Sequence, residues 1–210
     1  MIRPILLSCV LLPCAMAAEL VVRDIRLGLV THPTEFDFTI TSPLAEVDGS
    51  DAFDGGLVLE GGIRWSFAHA GDRLGLVAGA DLAMAGQSYD GGDGLSTMMG
   101  KVSAGLGWAA TDQLTVIGEG LVGYGLSTLK LPGTAAAGDY EADGTTVAYE
   151  ARVTGTWQFT RGFNAGLMAG WLVESHDLSG DDSDLTIDQS GWYAGVVMSW
   201  RIDDVPTSLE

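Results

Sequence analysis

VAYEARVTGTWQF, residues 147 to 159, alternates without a break. Val147, Tyr149, Ala151, Val153, Gly155, Trp157 and Phe159 fall on one side, and Ala148, Glu150, Arg152, Thr154, Thr156 and Gln158 on the other. A period of two belongs to a strand, whose successive side chains leave opposite faces. One face is apolar and ends in large rings; the other is small and polar. A soluble ligand-binding barrel also alternates, with its apolar side inward, so the polar face decides the reading. Its charges are too few for a water-washed exterior, and lipid rejects a basic side chain at mid-depth by about 2 to 4 kcal/mol. Small polar groups that pair with one another suit the lumen of a narrow barrel. The apolar face then meets lipid.

The same alternation recurs along the chain, and no segment shows a helical period. Eight runs are expected as strands, at about 20 to 30, 56 to 68, 73 to 86, 97 to 109, 113 to 128, 146 to 159, 162 to 176 and 189 to 201. HAGD at 69 to 72, ATD at 110 to 112 and TRG at 160 to 162 read as tight turns. The other connections, 31 to 55, 87 to 96, 129 to 145 and 177 to 188, are longer and read as loops at the opposite end. Short turns at one rim and long loops at the other, on an even number of antiparallel strands, predict an all-β, eight-stranded up-and-down transmembrane barrel. Periplasmic turns and extracellular loops follow from that plan.

Charges on the inward face are Asp24, Arg26, Glu60, Arg64, Asp81, Lys101, Glu119, Glu150, Arg152 and Glu174. Counted from the nearest turn, all but Arg64 and Glu174 cluster at one height, which predicts a mid-barrel layer of ion pairs acting as a plug. Inward glycines at 62, 75, 79, 105, 107, 123, 125, 166, 170 and 195 are expected to leave room for water, so a narrow ion or small-solute pore stays open as an alternative. Rings on the outward face gather near both ends: Trp65, Phe67, Trp108, Trp157, Phe159, Phe163 and Trp200 toward the turns, and Tyr124, Tyr149, Trp171 and Trp192 toward the loops. Aromatic residues favour the two membrane interfaces, so these form an expected pair of girdles.

The first 17 residues, with Arg3, an apolar run from Ile5 to Leu12 and small Ala15 and Ala17, read as a secretory signal peptide. Residues 18 to 202 are then the barrel and 203 to 210 a short tail. Both cysteines, Cys9 and Cys14, fall in the leader, so the mature chain is expected to carry no disulfide. The net charge of −18 has an address, because the four long connections hold sixteen acids against Lys130 alone. That rim excludes nucleic acid as a partner; divalent cations or a basic protein fit it. SHDLSGDDSDLTID, 175 to 188, lacks the spacing of a calcium loop. His32, His69 and His176 show no metal spacing, so no metal or cofactor is expected. Glu174 and His176, with Ser175 or Ser190, hold the residue types of an acyl hydrolase triad, which leaves a lipid A deacylase as a second alternative.

The strand plan, TWQFTRGFNAG at 156 to 166 and the final strand GWYAGVVMSWRI at 191 to 202 resemble the small outer-membrane barrels of the OmpA transmembrane-domain and OmpX type. The resemblance covers about residues 19 to 201 and rests on architecture. It implies a monomeric, cofactor-free barrel in contact with outer-membrane lipid and lipopolysaccharide, serving envelope integrity or surface interaction, with no catalytic residues carried over.

Overall fold

In the computed structural model, residues 20 to 68, 72 to 89, 94 to 131, 140 to 180 and 183 to 202 are described. The expected leader, His69 and the tail from 203 lie outside them. The strands are β1 Leu20–Thr31, β2 Glu35–Thr41, β3 Glu46–Ala52, β4 Gly55–Ala68, β5 Leu74–Ser88, β6 Gly94–Ala109, β7 Leu114–Leu131, β8 Tyr140–Thr160, β9 Phe163–Ser179 and β10 Asp184–Ile202. All pairings are antiparallel. A ring of β1 and β4 to β10 closes through β1 against β10, while β2 and β3 pair onto the free upper edge of β10.

The described strands therefore number ten, where the sequence reading gave eight. The two extra strands come from 31 to 55, read as a loop. Their register explains them. Val30 faces Gly195 and Phe36 faces Gln189, six residues further along each strand, so β2 continues β1 in register across His32, Pro33 and Thr34. Pro33 has no N–H to donate to the ladder, which breaks the strand without turning it. On the partner side Thr31 faces Leu57 and Glu35 faces Ala52, a step of four against five. The extra residue is a bulge at Phe53 and Asp54, and it swings the Phe53 ring inward, where it is buried. Hydrogen bonds from His32 N to Gly56 O, 3.0 Å, and from Phe53 N to Thr34 O, 2.9 Å, carry the ladder across the gap.

The other long connections are also shorter than the sequence reading placed them. β7, β8 and β10 run 18, 21 and 19 residues, whereas about 9 to 11 span a bilayer. Up to about Tyr149, Val173 and Trp192 the outward side chains are exposed and apolar, among them Leu82, Val102, Val122, Val153 and Leu167. Above that level the polarity of the two faces reverses. Asp37, Asp143, Asp177, Asp184 and Asp188 point out and are exposed, while Leu95, Leu129, Ala142, Leu178, Leu185 and Ile187 point in and form a buried cluster with Phe53. The exterior meets lipid below and water above, and the interior compensates in each zone.

Candidate functional site

The inward residues of β8 read the lumen from the turn end upward: Gln158, Thr156, Thr154, then Arg152 and Glu150, then Ala148, Thr146 and Ala142. At the bottom lies a vestibule of about 460 Å³ with a mixed lining, which includes Ser66, Thr154, Thr156, Asn164 and Arg201 beside Leu76, Val77, Ile117 and Val197. Its ceiling is Arg26 and Arg64.

Above it four bases meet four acids, all buried. Arg152 reaches Glu60 at 2.7 Å and Glu119 at 3.0 Å. Arg26 lies 2.5 Å from Glu60 and 3.4 Å from Glu119. Arg64 grips Asp81 with two parallel bonds of 3.0 and 2.7 Å and sets its Nε 2.6 Å from Glu119. Lys101 lies 2.9 Å from Glu150, which also accepts from the Tyr193 hydroxyl, and Ser103 donates to Glu119 at 3.1 Å. Charges withdrawn from water are tolerated when each is paired and hydrogen-bonded. Here the formal charges of these eight groups cancel.

Two of the heights read from the sequence are corrected. Arg64 belongs to the layer, because its long side chain lies down across Gly79 to reach Asp81; a Cβ on Gly79 would collide with its guanidinium. Asp24 does not belong, and sits at the lower rim 3.8 Å from Arg201. Of the inward glycines, Gly75 and Gly107 do line the vestibule, but at the height of the ion-pair layer the room beside the glycines is taken. Gly123 lets Lys101 cross β7 toward Glu150, since a Cβ there would stand 3.2 Å from Lys101 Cγ, and Asp81 and Tyr193 fill the room beside Gly62 and Gly170.

Glu174 lies higher, in a second polar layer that sequence reasoning missed. His32 Nε2 is 2.9 Å and His176 Nε2 3.6 Å from the same Glu174 oxygen. His176 Nδ1 is 2.8 Å from Thr146 Oγ1 and 3.1 Å from Ser127 Oγ, which continues to Thr97 at 2.7 Å. Assigning His32 to a loop hid it; the signal was that position 32 keeps the inward parity of Arg26 and Val30. The serines of the suggested triad are not at His176. Ser175 and Ser190 take the outward parity, and the hydroxyls that reach the imidazole are Ser127 and Thr146. His176 is fully buried below the apolar cap, so it faces no lipid chain. Among the described residues no group of three or more His, Cys, Asp or Glu is arranged to hold a metal ion.

On the outside, Trp108, Trp157, Phe159 and Trp200 are exposed near the turns, with Trp65, Phe67 and Phe163 half-buried beside them. Phe163 packs 6.2 Å from Phe159 and 5.5 Å from Trp200. Tyr124, Tyr149, Trp171 and Trp192 are exposed at the other level, the last two edge to face at 5.4 Å. Trp157 and Tyr149 are eight residues apart on β8, about 26 Å along a strand and about 20 Å of depth at a tilt of about 40°. On the rim, Asp51 accepts from Tyr89 Oη at 2.5 Å and from its neighbour's N–H at 2.8 Å. These bonds hold its carboxyl below the usual range.

No family model matches the chain, and no curated protein matches it significantly. Among solved structures, the chain is similar to Ail, the attachment invasion locus protein of Yersinia pestis, at 14% identity over 86% of this chain and 98% of that one, with a TM-score of 0.37. It is similar to OprG from Pseudomonas aeruginosa at 10% identity over 86% and 95%, TM-score 0.46. It is also similar to the outer membrane protease OmpT from Escherichia coli at 10% identity over 89% and 98%, TM-score 0.45. At such identities and scores the similarity carries no inference about activity.

Proposed function

We propose that this chain is a non-enzymatic β-barrel of the bacterial outer membrane, with a closed lumen and an acidic, water-facing extension as its working surface. One observation carries the reading: the reversal of polarity along a single closed wall, apolar outside and ionic inside below, acidic outside and apolar inside above. Only an object standing half in lipid and half in water has a use for both halves. The all-β ring is the element available for the crossing, since among the described residues no helix is long and apolar enough to cross a membrane. The exposed acids Glu35, Asp37, Asp48, Asp184 and Asp188 on the extension favour a basic protein, or divalent cations that bridge them to the anionic groups of lipopolysaccharide. Fractionation tests the placement. The protein is expected in outer-membrane fractions and to shift on a denaturing gel between unheated and boiled samples; recovery from the periplasm without detergent refutes it.

The pore reading keeps one observation in its favour, the vestibule at the turn end; against it stand the ion-pair layer above that space and the buried apolar cluster above the layer. The deacylase reading predicts loss of acyl chains from lipid A in expressing cells. An unchanged lipid A mass spectrum removes it.

A further inference from the structure

We propose that the upper polar layer stores a proton on His32, and that this proton fastens the β2–β3 extension to the barrel. The inference rests on the hydrogen-bond roles available at one imidazole. His32 Nδ1 lies 2.9 Å from the carbonyl oxygen of Pro33. A carbonyl only accepts, so Nδ1 carries a hydrogen. The other nitrogen, Nε2, lies 2.9 Å from a Glu174 carboxylate oxygen. In a neutral ring that nitrogen is a bare lone pair, and two acceptors would face each other in a site shut off from water. A proton between the two removes the conflict; we place it on the ring, where it makes a charge-assisted bond, and a Glu174 carboxylic acid donating to a neutral ring is the alternative that ¹⁵N shifts would expose.

The surroundings show what the bond holds. Pro33 O is turned inward at the break between β1 and β2, where it also accepts from Gln87 Nε2 at 2.8 Å and sits 3.4 Å from Gln189 Nε2. His32 therefore ties the junction of the two strands to β9. The groups facing it are Glu174, with His176 behind that carboxylate, from β9, and the uncharged Gln87 from β5 and Gln189 from β10. On the β4 side, a Cβ on Gly56 would stand 2.8 Å from that of His32, so no charged side chain fits there. Glu174 is the single carboxylate among these contacts. Its other neighbour, His176, keeps Nδ1 2.8 Å from Thr146 Oγ1 and stands off at 3.6 Å from the same carboxylate oxygen, so the short contact of Glu174 is the one to His32.

The sign follows. The clamp is present while His32 is doubly protonated and is lost as rising pH removes that proton. Hydrogen exchange of the full chain in lipid nanodiscs, at about pH 5 and about pH 8 and corrected for intrinsic rates, reads it. Amides of 35 to 52 are expected to lose protection by about tenfold or more at the higher pH, the scale of losing one charge-assisted bond, while β6 to β8 stay protected. Glu174→Gln gives His32 a neutral donor, so its hairpin is expected to be protected equally at both values. A wild type with no pH step, a Glu174→Gln variant that keeps it, or ¹⁵N shifts showing a neutral His32 at pH 5 overturns the proposal. None of these results bears on membrane placement.

Discussion

Arg152 touches Glu60, Glu119 and Glu150, so its removal strands buried carboxylates. Arg152→Ala is expected to cost about 3 to 5 kcal/mol, the usual loss when one partner of a buried pair is deleted. Exchanging Lys101 and Glu150 together for Met and Gln is expected to cost far less. Urea unfolding in lipid vesicles separates the two, and equal losses would mean the layer is not a paired network. Gly79 carries the same argument in reverse. Gly79→Ala pushes Arg64 from its bed and is expected to destabilise by about 1 to 3 kcal/mol, in the same unfolding assay. On the rim, Tyr89→Phe removes the first of the bonds that hold Asp51 low. Its carboxyl is then expected to titrate higher, as followed by NMR. The depressed Asp51 favours the folded hairpin above the carboxyl's unfolded pKa and loses that contribution as pH falls through the folded one. Removing Tyr89 should weaken that dependence.

Strands were legible wherever they lie in lipid, because there the apolar, outward face is unbroken, as in Val147 to Phe159. They were illegible above it for a physical reason. Glu35, Phe36, Asp37, Phe38, Thr39, Ile40 and Thr41 alternate as plainly as β8 does, yet with the apolar side inward. A rule tuned to one solvent reads the acids there as loop. Pro33 and the bulge at Phe53 add a break and a change of parity. The pairings in the ion layer were out of reach for a different reason: side-chain length and strand stagger decide that Arg64 joins and Asp24 does not. Because the ring closes through β1 and β10 without the hairpin, joining Thr34 to Phe53 by a short turn in place of 35 to 52 is expected to leave a heat-shifting barrel. A variant that runs alike before and after boiling would show that the extension is needed for closure.

At the scale of the whole molecule, the lumen is a stack: an open vestibule, a neutral layer of four bases and four acids, a histidine–glutamate layer, and a cap of Phe53, Leu95, Leu129, Leu178, Leu185 and Ile187. On the proposed reading, the ion layer and the cap each bar a hydrated ion. The wall around them is continuous, so the surface left for interaction is the acidic extension and rim. Conductance across a planar lipid bilayer holding the purified protein tests the closed barrel most directly. Insertion without discrete current steps is the expected result; reproducible steps whose size changes with Lys101→Ala would show a conducting lumen and contradict it.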